Sequence, residues 1–193
     1  MNHQISNICR VAHFHLRNLG AIRKFITQDA CEKLIHAFIT SRLDYGNSLL
    51  YGTPDYQINR LQRILHIAAR IVKLPPPPHS ITSILKSLHW LPVVQRIKYK
   101  ILLLTFRAVN GIAPPYLSEL LVPYCPPRNL RSTELALLTV PQTHLKTYGD
   151  RAFAAVAPKL WNELLLQIRD IQTLDTFKTA LKTHLFTEYY DKK

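Results

Sequence analysis

Between Thr53-Pro54 and the four prolines at 75–78, apolar and basic residues follow the period of an α-helix. Leu61, Leu65, Ala68 and Val72 recur at i, i+4, i+7 and i+11, which places them on one face. Arg63, His66, Arg70 and Lys73 recur at i, i+3, i+7 and i+10 and fall on the opposite face. The spacing predicts a helix to about Leu74 with a buried stripe and a cationic stripe behind it. Pro54 suits its first position, where a missing N–H costs nothing. The proline run must end it, as a stiff extended spacer that marks a boundary.

A second segment, LHWLPVVQRIKYKILLLTFRAVNG at 88–111, combines a dense apolar run with four cations and no acid. Pro92 predicts a helix start and Asn110-Gly111 its stop. Val93, Ile97, Ile101, Leu104 and Ala108 share one face, and Tyr99, Leu102, Phe106 and Val109 a second. Arg96, Lys100 and Arg107 form a narrow strip between them. A helix buried on two sides with one cationic edge is expected. A helix lying on a membrane would show one broad apolar face and one broad polar face. No apolar run in the chain approaches the ~18 residues of a membrane span.

Charge sharpens this pattern. The chain of 193 residues carries a net +13. Residues 1–100 hold 14 Lys/Arg against four Asp/Glu, and nine cations lie between Asp55 and Glu119 without any acid. A field of one sign calls for an anionic partner, nucleic acid or an anionic surface, unless it is merely solvated. Cys9, Cys31 and Cys125 are odd in number and show no paired spacing, which fits a reducing, intracellular compartment, nuclear or cytoplasmic. Residues 1–26 are basic and acid-free but not Ser-rich, and no targeting segment is read there.

Catalytic patterns are missing. The acids are scattered, without an adjacent pair or D-x-D to hold two metal ions. There is no G-x-S-x-G, no G-x-x-x-x-G-K-[ST] and no H-E-x-x-H. Cys9, His13 and His15 fall short of the four convergent ligands that zinc requires. Asp44 is assigned an ion pair with Arg42 or a capping role. Trp90 and Trp161 are expected in the core, while Tyr51, Tyr56 and Tyr99 are weak stacking candidates.

The remaining periodicity predicts helices over 4–19 with Gly20 as the stop, from Thr27 with Leu34, Ile35, Phe38 and Ile39 inward, over 80–88, from Pro114-Pro115 to Leu121, over 150–167 with a kink or restart at Pro158, and from Thr173 to the end. LALLTV at 135–140 reads as a strand, paired with THLKTY at 143–148. The expected fold is mainly α: a helical bundle at 1–74, a proline-rich connector at 75–79, and an extension at 80–193 with a short β-hairpin and C-terminal helices.

Several strings carry a resemblance: HFHLRNLGAIRKFI (13–26), HAFITSRLDYGNSLLYG (36–52), INRLQRILHIAARIV (58–72), LKSLHWLPVVQRIKYKILLLTFRAVNGIAPPYLSELL (85–121) and LRSTELALLTVPQTHLKTYGDRAFAAVAPKLWNELL (130–165). In this order, over nearly the whole chain, they resemble the C-terminal region of LINE-type, jockey-like reverse transcriptases of non-LTR retrotransposons. The chain departs from that family at Gly46, where Cys is expected, and at the four-proline run, which replaces a more polar connector. The family's palm Asp-Asp pair, which holds magnesium, is absent. The resemblance therefore implies a polymerase thumb at 1–74 and a post-polymerase extension, without catalytic residues or a cofactor of its own.

Residues and resemblance together predict a non-catalytic module that holds template–product RNA and DNA through backbone phosphates. Arg60, Arg63, Arg70, Lys73, Arg96, Lys100 and Arg107 are the candidate contacts, and palm and fingers supplied in trans are a candidate partner. A helical protein-interaction module and a remnant without function remain alternatives.

Overall fold

The computed structural model describes residues 2–74, 80–125, 136–143, 145 and 148–191. The proline-rich connector expected at 75–79 lies outside them. The chain is mainly helical and forms two compact units, 1–97 with 189–193, and 98–188.

The first unit opens with α1 (Asn2–Ile22), whose Ile5, Cys9, Ala12, Leu16 and Leu19 are buried at helical spacing. It runs through Gly20, the expected stop. That glycine is solvent-exposed and a Cβ there would meet nothing, so no local clash or left-handed turn ends the helix at this point. After a 3-10 turn, Thr27 caps α2 (Gln28–Ile35) by accepting from the Ala30 N–H at 3.2 Å. One π-helical stretch at 36–40 leads into α3 (Ser41–Asp44). This wider turn keeps Ile35 and Ile39 buried and leaves Phe38, expected inside, exposed. Gly46, at φ +61, turns the chain away after α3.

The central helix of this unit is α4 (Asp55–Lys73), against which α1, α2 and α5 (Ile81–Ser87) pack. Leu61, Leu65, Ala68 and Val72 are buried, as the periodicity requires. Arg23 closes the C-terminal end of α4. Its Nε donates to the carbonyl of Ile71 at 2.8 Å and its Nη2 to that of Val72 at 2.9 Å, while Nη1 reaches the Ile26 carbonyl. A cation there answers the partial negative charge of the helix end. α5 ends in a Schellman turn, with Trp90 N–H bonded to the Leu85 carbonyl and His89 N–H to that of Lys86. Trp90 is buried, and its carbonyl accepts from the Tyr190 hydroxyl at 2.8 Å.

α6 (Val93–Val109) begins in the first unit and continues in the second. It ends in the predicted Asn110-Gly111 stop. Ile112 N–H bonds the Arg107 carbonyl, Gly111 N–H bonds that of Ala108, and Gly111 takes φ +68. The second unit adds α7 (Pro115–Ser118), α8 (Phe153–Glu163), α9 (Leu166–Arg169) and α10 (Leu174–Tyr190) up to Glu188. Its core holds Phe106 stacked on Phe177 at 4.2 Å, with Trp161 beside Phe177 at 6.0 Å. α8 passes through Pro158 without a restart.

Among the described residues the expected β-hairpin is not seen and no strand occurs; residues 135, 144, 146 and 147 of that expectation lie outside them. Leu138 instead makes an isolated antiparallel bridge with Pro123. On one side of this segment, Tyr124 N–H donates to the Leu137 carbonyl and Thr139 N–H to that of Val122. On the other, the Asn162 amide takes both polar groups of Leu138, accepting from its N–H at 2.9 Å and donating to its carbonyl at 2.8 Å. Trp161 Nε1 adds a bond to the Ala136 carbonyl. Both edges of the segment are thus occupied around Leu138.

Candidate nucleic-acid interface

In the first unit, the back of α4 presents the predicted cationic edge. Arg63 and Arg70 are exposed and Lys73 is half-buried. No carboxylate pairs with any of the three among the described residues. The helix holds them in place because Leu61, Ile64, Leu65, Ala68, Ala69 and Val72 anchor its other side. His66 lies on the same edge, half-buried. Gln62 Nε2 donates to its Nε2 at 2.7 Å, with the Gln62 amide oriented by Val93, whose N–H donates to Oε1 at 2.8 Å. His66 Nε2 must therefore be the unprotonated acceptor. Burial first, and the charge of Arg70 second, push its pKa below 6.5.

Two predicted contacts in this unit are engaged in the fold. Arg96 is only 13% exposed; its Nη1 pairs with Asp44 Oδ2 at 2.8 Å and its Nε donates to the Leu91 carbonyl at 2.8 Å. Asp44 thus pairs with Arg96, and not with Arg42 as its sequence neighbourhood implied. Arg60 spreads its guanidinium between Gln57 Oε1 at 3.0 Å and Ser6 Oγ at 3.1 Å, tying α4 to α1.

Lys100 and Arg107 belong to the second unit. Both are half-buried, and Arg107 keeps its Nε buried without a hydrogen-bond partner. Of the seven predicted contacts, Arg63, Arg70 and Lys73 form the larger group without carboxylate partners on one element within one unit, and Lys100 and Arg107 on α6 form a smaller one. Sequence reasoning did not single out Arg23 or Asn162. The signal for Asn162 is its place in the PKLWN string; Arg23 carries none, since its partners are backbone carbonyls nearly fifty positions away.

Among the described residues, no three His, Cys, Asp or Glu side chains come together as metal ligands, and no helix is long and apolar enough to cross a membrane. No protein-family model, curated protein or solved structure matches the chain.

Proposed function

We propose that this chain is a non-catalytic nucleic-acid-binding module, a fragment of a retrotransposon RNA-directed DNA polymerase, that holds RNA and DNA by their phosphates. The observation that carries the reading is the edge of α4, where Arg63, Arg70 and Lys73 stand without carboxylate partners behind a fully buried apolar stripe. Their spacing puts successive cations about one or two helical turns apart, a layout that meets phosphates along a backbone and reads no base. Arg96 and Arg60 serve to hold the scaffold and are removed from the list of contacts. The resemblance to the thumb and post-polymerase region supports the same reading, since a thumb grips its duplex without sequence preference.

Binding of a fluorescent RNA–DNA duplex, titrated across salt concentration, tests the proposal. Affinity should fall steeply and log-linearly with salt for any duplex sequence. Absence of binding at low salt, or binding indifferent to salt, would sink it.

A further inference from the structure

The solvent face of α1 carries a feature that phosphate binding does not use. Phe14 is 60% exposed and lies opposite the helix's buried stripe, between Arg10 and Arg17 at i−4 and i+3. Its ring meets His15 edge-on at 5.4 Å, and His15 stacks on Phe38 at 5.0 Å with the ring planes 16° apart. Phe38 is itself 40% exposed, and Arg42 follows it one turn further along. Three rings are thus in contact at the surface of the first unit. α1 has no acid anywhere in its length, and none of Arg10, Arg17 and Arg42 is in an ion pair among the described residues.

Lone exposed apolar residues are ordinary. A contiguous ring array flanked by guanidinium groups without carboxylate partners, of which Arg10 bonds the Asn7 amide oxygen at 2.9 Å, is a different surface. It offers π-faces to flat apolar groups and positive charge to the anions that link them. Unpaired bases on a phosphodiester chain have both properties, whereas a duplex keeps its bases stacked on one another.

We propose that Phe14, His15 and Phe38 form a stacking platform for the unpaired bases of a single-stranded nucleic acid, with Arg10, Arg17 and Arg42 on its phosphates. The proposal rests on the nucleic-acid reading and adds a second, single-strand surface to the phosphate edge of α4.

The test compares a labelled single-stranded 20-mer, an abasic phosphodiester of the same length and a blunt duplex. Each is titrated with the wild type, with Phe14→Ala/Phe38→Ala, and with Phe14→Tyr/Phe38→Tyr. The wild type should prefer the strand with bases over the abasic one by about tenfold or more, the scale of one or two stacked bases. The alanine pair should lose that preference while binding the duplex as before, and the tyrosine pair should keep it. Equal affinity of the wild type for based and abasic strands would overturn the platform, as would an alanine pair that still discriminates. In either case the rings would be left to a protein surface. Duplex binding that persists through those results leaves the phosphate reading standing; a wild type that binds none of the three ligands defeats both.

Discussion

Arg96 and Asp44, 52 positions apart, form an ion pair at 2.8 Å in which the guanidinium is nearly withdrawn from water. The same side chain bonds the Leu91 carbonyl, so it ties the end of α3 to the start of α6. Removing Asp44 leaves a largely buried cation short of its partner. Asp44→Ala should cost about 1–3 kcal/mol of stability, between the exposed-pair and buried-pair ranges because Asp44 itself is partly solvated. Urea unfolding of the two proteins checks this. If Arg96 were free to hold phosphate, Asp44→Ala would tighten nucleic-acid binding; affinity unchanged at fixed salt is expected.

Arg23 bonds three carbonyls, two of them at the end of α4. Arg23→Ala strips the last turn's carbonyls of their donor and should lower stability by about 2–4 kcal/mol. Arg23→Lys should recover less than half of this, because a single ammonium cannot serve three diverging acceptors. Thermal melts of both variants distinguish a shaped clamp from a mere positive charge.

His66 is held neutral by its bond from Gln62 and by burial. Its folded pKa lies below the 6.5 of the unfolded chain, so in the window under 6.5 the unfolded chain takes up the proton more readily. Stability from this group is complete above about pH 6.5 and is lost as pH falls through the folded value. Melting temperature followed from pH 8 to 5 should drop more for the wild type than for His66→Gln, which cannot titrate. Coincident profiles would contradict the arrangement.

Asn162 takes the place of a neighbouring strand for Leu138, bonding both its N–H and its carbonyl. Asn162→Leu leaves two backbone groups unsatisfied and should cost about 1–3 kcal/mol. The loss should be local. Hydrogen exchange at Leu138 should accelerate, with the Phe106–Phe177 stack at the core of that unit keeping its protection.

The helices were legible because burial follows period. Leu61, Leu65, Ala68 and Val72 point inward for the reason their spacing gives, and Asn110-Gly111 stops α6 because glycine accepts a left-handed turn. The hairpin was illegible for an equally physical reason. LALLTV has strand composition, but composition does not reveal that an amide from α8 occupies one of its edges. The site was legible where it is local. The i, i+3, i+7 and i+10 arithmetic finds the cations of α4 but says nothing of Asp44, which reaches Arg96 across 52 positions and removes it from the candidate contacts.

The central claim is that Arg63, Arg70 and Lys73 carry phosphate contacts. The most direct measurement is the slope of log affinity against log salt for an RNA–DNA duplex, with the wild type and with Arg63→Ala/Arg70→Ala/Lys73→Ala. All three side chains sit at the surface or half out of the core, so the variant should fold. Three lost contacts should shrink the slope by about 2 to 3, with weaker binding to every sequence alike. Equal slopes for the two proteins would contradict the account.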